Sequence, residues 1–277
     1  MDTSPDLDSA AAPAMDANLT GLVDDIATTC DLPPLPAAAA RALTLARDPD
    51  SSSESLARVV STDPALAARV LAMSRSVTYL RRQPPRTLQE AIATVGLRAL
   101  RRILIAASAR AAYRADDQVA QSLWAHSLAA GLAAEELSKV TGGGAAAGDA
   151  FIAGLLHDIG KLVLHLSNPA AFATLGVFDE ESERRLFGTT HDEIGGRLAE
   201  KWGLEPDIVA GIRGHHDPAG SPLAVCVGRA DRLAMEIGYG SLAHQFCPLP
   251  SGDADAQYAE AAERVRTLFE SERHLFD

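Results

Sequence analysis

From about Leu19 to the C-terminus the apolar residues recur at i, i+3, i+4 and i+7, and no stretch alternates convincingly between apolar and polar. That spacing lays one face of a helix on a core, whereas a half-buried strand needs a period of two. The chain is therefore expected to be all-α. Composition agrees. Aromatic residues are 5% of the sequence and alanine runs recur throughout. Alanine has the highest helix propensity, and strands draw on β-branched and aromatic residues. With 277 residues, the chain can bury the core of one large unit or two modest ones without staples.

Helix starts are marked locally. Thr62-Asp63-Pro64 puts a capping residue before a proline at the first helical position. Thr87-Leu88-Gln89-Glu90 has the pattern of a capping box. Gly96 interrupts or ends the helix that follows, and Leu100, Ile103 and Leu104 continue its apolar stripe. Helical periodicity covers 118–139, 149–166, 190–202, 206–216, 221–237 and 254–274. Residues 1–17 are small, acidic and aperiodic, which predicts a disordered tail. The proline-rich stretch 32–36 predicts a rigid helix entry, 141–148 a flexible loop and 167–189 an irregular segment.

The formal charge is −12. An acidic chain lacks the lysine and arginine excess that draws proteins to nucleic acid or an anionic membrane, so both are disfavoured as partners. Charge is uneven, however. Residues 75–114 hold nine arginines and one acid, whereas residues 1–65 hold eleven acids and three arginines. The arginine-rich stretch reads as a solvated face complemented by acids elsewhere, or as a docking face, including Arg98, Arg101 and Arg102, for an acidic protein segment or an anionic ligand. Cys30, Cys226 and Cys247 are too few and scattered for a disulfide framework or a zinc knuckle. No uninterrupted apolar run is long enough to span a membrane, and the N-terminus lacks the pattern of a signal peptide. A cytoplasmic setting is the expectation.

The segment Phe151–His165 holds the most chemistry. On a continuous helix advancing about 100° per residue, His157, Asp158, Lys161 and His165 share one face, opposite Leu155, Ile159, Leu162, Val163 and Leu166. Other polar residues sit on apolar stripes elsewhere. His126 lies in the seam of Leu123, Ala130, Ala133 and Leu137, and His191 in that of Ile194 and Leu198. His215 and His216 follow Ile208, Val209 and Ile212, and Asp231 shares a stripe with Val227 and Ala234. A buried carboxylate needs a cation, a metal or several donors. Imidazole and carboxylate together suit iron, manganese, zinc or magnesium. A buried polar network that orients the helices would use the same residues.

The order His126, His157-Asp158, Asp231 resembles the HD superfamily of metal-dependent phosphohydrolases. More closely, the chain resembles the HDOD domain, the HD-related output domain of bacterial signalling proteins. The matching pieces are residues 32–36, Thr62-Asp63-Pro64, the segment from Thr87 to Arg102, Leu123-Trp124-Ala125-His126-Ser127, Gly154 through Lys161, His191 through Trp202, and His215-His216. Ser74-Arg75-Ser76 departs from the Asn-Ser usual in the family. The resemblance implies a helical N-terminal lobe at 18–115 packed on an HD-like lobe at 116–240, with a C-terminal loop and helix at 241–277. It implies regulatory work through protein partners more often than catalysis. No receiver or sensor segment accompanies the motifs, so signal input is expected from another protein.

Set beside the HD-GYP phosphodiesterases, His126, His157, Asp158, His191, His215, His216 and Asp231 match metal-ligand positions. Lys161 matches a lysine near the scissile phosphate. On that resemblance His157 and Asp158 would be central, with Asp158 able to bridge two metals; His126 and Asp231 would complete one site and His191, His215 and His216 the other. The Gly-Tyr-Pro element is missing, because Asp217-Pro218-Ala219-Gly220 follows the histidine pair. The expectation is a signalling output module acting by protein or ligand binding, with a divalent metal at the HD-type site. The alternative is a metal-dependent phosphohydrolase acting on nucleotides or cyclic dinucleotides, with Asp158 and Lys161 as its catalytic residues.

Overall fold

The structure is a computed structural model that describes residues 35–48, 50–75, 84–113, 116–141, 147–175, 180–217, 221–240 and 256–276. The acidic tail, most of 32–36, Cys30, Cys247, most of the 141–148 loop and the tripeptide after Asp217 lie outside these residues. Among the described residues there are helices and no strand, which settles the all-α expectation.

The first helices are α1 (Ala37–Ala46), α2 (Ser53–Val60) and α3 (Pro64–Ser74), all packed around α4 (Leu88–Arg110). The predicted starts are present. The Asp63 side chain accepts from Leu66 N–H with Pro64 in the first turn, and Thr87 accepts from Glu90 N–H. Glu90 in turn accepts from the Arg86 N–H at 2.8 Å. At Gly96 the backbone leaves helical geometry with φ at 79°. An L side chain is strained there, so glycine is what lets two helical segments join at a kink.

The second group is built on α5 (Gln118–Thr141) and α6 (Ala147–Leu156), the most extensively packed pair in the chain. Around them lie α7 (Ile159–Ser167), α8 (Pro169–Phe172), α9 (Glu180–Phe187), α10 (His191–Lys201), α11 (Pro206–Arg213) and α12 (Pro222–Glu236). A last helix, α13 (Ala256–Phe276), lies along α5 and also touches α3 and α4. The segment expected to be irregular at 167–189 therefore contains α8 and α9. Asn168 caps α8 by accepting from Ala171 N–H. In α9 three acids in the first turn and two arginines in the last complement the helix dipole.

Contact between α4 and α6 joins the two groups. Arg101 reaches Glu205 at 2.5 Å and Asp149 at 3.9 Å, and Arg47 pairs with Glu205 at 3.6 Å. Arg102 is buried, pairs with Glu135, and lies 4.4 Å above the Phe151 ring. Internal acids thus take up Arg101 and Arg102, and the expectation that both serve a docking face for an acidic partner is corrected. Sequence spacing showed the charge but not that both arginines lie where the helix groups meet. The run Ala147–Ser167 is apolar and long enough to cross a membrane, yet 89% of its most apolar window is buried in the fold. Cys226 is half-buried, and burial pushes its thiol up to about 11.

Candidate metal centre

The sequence predicts one helix over 149–166, but α6 ends at Leu156 and α7 begins at Ile159. At the break, His157 Nδ1 donates to the Gly154 carbonyl at 2.7 Å. That carbonyl belongs to the last turn of a helix, where acceptors have no partner along the backbone. The break takes Asp158 off the predicted helix face and sets it at the middle of the second helix group. The helix predicted over 206–216 also stops early, at Arg213. There His215 Nδ1 donates to the Ile212 carbonyl at 2.6 Å.

Two more imidazoles are fixed the same way. On α5, His126 Nδ1 donates to the Tyr239 carbonyl, just past α12, at 2.7 Å. At the start of α10, His191 Nδ1 donates to the Glu183 carboxylate at 2.8 Å, and the His191 backbone N–H donates to the same group at 2.8 Å. A neutral imidazole with its proton on Nδ1 has only a lone pair on Nε2. Four Nε2 atoms consequently face inward. His126 and His157 approach at 3.3 Å through Nε2, His191 and His215 at 3.4 Å, and His191 and His216 at 2.9 Å.

The carboxylates lie among them. Asp231 on α12 places Oδ1 3.1 Å from His126 Nε2 and 3.6 Å from His157 Nε2. Asp158 has two faces. Its Oδ2 is 3.4 Å from His126 and 3.5 Å from His157, while its Oδ1 is 3.5 Å from His191 and 3.8 Å from His215. Asp158 Oδ1 is buried with no hydrogen-bond donor among the described residues. An orphaned carboxylate oxygen and facing lone pairs are costly in a dry interior. A cation between them removes both costs, so the donor set fits a metal.

Three donor groups close enough for one ion occur here: His126 with His157 and Asp231, His191 with His215 and His216, and His157 with Asp158 and His215. All seven residues expected as ligands are therefore together. His126, His157, Asp158, His191 and His215 are buried, Asp231 is partly buried and His216 is exposed, so one side of the cluster opens toward solvent.

Electrostatics agree with this arrangement. Burial opposes a charge on Asp158, but His157 and Lys161 hold it well below the usual carboxylate range. Burial likewise opposes charge on Asp231, and His126 and His157 hold it low. Burial keeps His191 and His215 well below the usual imidazole value. For His126 burial works against the cation, yet Asp158 and Asp231 raise it to about 9.

Lys161 is buried, and its Nζ donates to Asp158 Oδ2 at 2.7 Å. It pairs with the central carboxylate. His165, predicted to share its face, turns away to Asp117 at 2.6 Å. Two supporting features were missed in the sequence. Glu183 is completely buried and orients His191, and burial pushes its carboxyl up to about 8. Gly160 lets α7 press on α10, because a Cβ there would lie 1.9 Å from the His191 carbonyl oxygen.

The HDOD domain model matches residues 32–218. An uncharacterized protein from Treponema pallidum is 28% identical over 259 residues, which is 88% of this chain and 50% of the relative. The chain thus spans about half the length of this curated relative. An HDOD domain protein of unknown function from Geobacter sulfurreducens superposes with a TM-score of 0.71 at 24% identity, over 94% of this chain and 96% of that one. A candidate phosphohydrolase from Shewanella amazonensis superposes with a TM-score of 0.69 at 25% identity, over 92% of this chain and 96% of that one. With the domain matched over most of its length and the same helical fold in these relatives, the chain belongs to the HDOD domain family.

Proposed function

We propose that the chain is a signal-transduction output module whose second helix group holds divalent metal, and that it acts through binding rather than turnover. The observation that carries this reading is the Asp158 carboxylate. One oxygen faces His126 and His157, and the other, without a donor, faces His191 and His215. His126, His157 and Asp231 would hold one ion, His191, His215 and His216 a second, and Asp158 would serve both. Two imidazoles in one group and three in the other suit iron, manganese or zinc better than magnesium, which prefers oxygen ligands.

Binding is favoured over turnover by what the chain's own groups do. Lys161, the residue that would neutralise a substrate phosphate, is bonded to Asp158 and buried. The Gly-Tyr-Pro element is replaced by Pro218-Ala219-Gly220. Glu183, Gly154, Ile212 and Tyr239 fix the four imidazole rings, which makes the centre a rigid tie between α5, α6, α10, α11 and α12. A module tied in this way can present one helix arrangement to a partner when loaded and another when empty.

One observation favours the second reading, phosphohydrolysis. The cluster opens toward solvent at exposed His216 and partly exposed Asp231, which leaves a substrate a way in. When bound, divalent metal lowers the pKa of a coordinated water and neutralises phosphate charge. The test is a hydrolysis assay with bis(4-nitrophenyl) phosphate on protein loaded with manganese or iron, beside restoration of a gene-deletion phenotype. The account expects no multiple turnover, and restoration by Lys161→Met but not by Asp158→Ala. Multiple turnover that Lys161→Met and Asp158→Ala both abolish, together with loss of restoration by Lys161→Met, would establish the hydrolase instead.

A further inference from the structure

Away from the histidine cluster, a cavity of about 400 Å³ lies among the C-terminal end of α4, the first half of α5 and the end of α13. Its walls include Arg110, Gln121, Trp124, Leu128, Phe269 and Arg273, and among the described residues no acid lines it. Two of these side chains carry buried donors that find no acceptor among the described residues, Arg110 Nε and Trp124 Nε1. Trp124 is 4% exposed. Arg110 donates through Nη1 to the Tyr113 carbonyl at 2.5 Å and lies 5.6 Å from the centre of the Trp124 ring, so its position is fixed. Arg273 is exposed at the mouth. Glu270, on the same helix, accepts from the Tyr239 hydroxyl at 3.0 Å and does not line the cavity.

We propose that this cavity is a binding site for a small organic oxyanion, a carboxylate or phosphate carried on a flat apolar body. The volume is that of a small-ligand pocket. Two guanidinium groups provide charge and several directional donors, which is how planar oxyanions are recognised. The Trp124 indole and Phe269 ring give a flat group two apolar surfaces. The proposal does not depend on metal. Phe269 and Arg273 come from α13, which lies beyond the residues matched by the HDOD domain. The cavity nevertheless shares support with the histidine cluster. Phe269 stacks on Tyr239 at 3.9 Å between ring centres, and the Tyr239 carbonyl holds His126.

The protein contains two tryptophans, so Trp202→Phe makes Trp124 the sole indole reporter. Phenyl phosphate, benzoate and inorganic phosphate would be titrated into the full-length Trp202→Phe protein in the presence of EDTA, with fluorescence and calorimetry as readouts. The proposal expects saturable binding of at least one aromatic anion, tighter than inorganic phosphate. Arg273→Gln should weaken it about tenfold or more, the scale of one lost charged hydrogen bond. Asp158→Asn should leave it unchanged. Arg273 is exposed, so its replacement leaves the fold intact. The proposal is overturned if no aromatic anion saturates the signal, if Arg273→Gln binds as tightly as its parent, or if Asp158→Asn abolishes binding.

Discussion

Replacing Gly160 by alanine probes the close approach that assembles the second donor group. The added Cβ would stand 1.9 Å from the His191 carbonyl oxygen, and real Cβ atoms essentially never come within 3.0 Å of such a neighbour. Helix α7 must then part from α10 by at least about an ångström. The obstacle is backbone, so no side chain can swing aside. Overpacking of this kind costs about 1–3 kcal/mol, and occasionally more. The displacement acts on His191 first. It separates that imidazole from His215 and His216, while His126, His157 and Asp231 keep their contacts. Gly160→Ala should therefore unfold at lower urea, by about 2 kcal/mol, and should lose one of two metals under conditions that saturate the parent. Urea unfolding with metal removed separates the packing cost from lost metal. A variant within about 0.5 kcal/mol of the parent that still binds two metals would refute the packing argument.

Glu183→Ala should lower metal affinity about 10- to 100-fold, because His191 loses the partner that keeps its proton on Nδ1; metal titration by calorimetry reads this directly. Arg102→Ala should destabilise by about 3 kcal/mol by leaving Glu135 short of its buried partner and uncovering the Phe151 ring; denaturant unfolding measures it. Asp117 accepts from the Val119 and Ala120 N–H groups at the start of α5 and pairs with His165. Burial opposes its charge, but these bonds hold its carboxyl below the usual value. A lowered carboxylate pKa gives stability that is present above the ordinary value and lost as pH falls through the folded one. Asp117→Ala should then cost about 1 kcal/mol at neutral pH, and the gap between the two proteins should close in acid.

What the sequence made legible was phase. His126 and Asp231 lie on long regular helices whose apolar stripes are continuous, so their inward direction followed from spacing alone. His157, Asp158, His215 and His216 were identified as residues but misplaced as geometry. They stand where helices stop, and the stops are set by imidazoles bonding to carbonyls three residues back. Periodicity alone does not reveal that competition. Glu183 lies in Glu180–Phe187, a run so charged that nothing local marks one acid as the buried one. Its burial follows from the way α9 meets α10. At Arg101 and Arg102 the reading that pairs the arginine-rich run with acids elsewhere holds and the docking face does not, and spacing could not separate the two until Glu135, Asp149 and Glu205 were placed.

Asp158 stands between the two histidine groups, where each of its oxygens would face one ion. Metal content of the purified full-length chain, measured after saturation with manganese or iron and removal of excess, tests it most directly alongside Asp158→Asn and Asp231→Asn. The account predicts about two ions per chain in the parent, since the ligands form two groups around one carboxylate. Asp231→Asn should retain one ion, and Asp158→Asn should weaken both sites together. A parent chain that binds no metal at saturation, or an Asp158→Asn protein that binds two as tightly as the parent, would contradict the account.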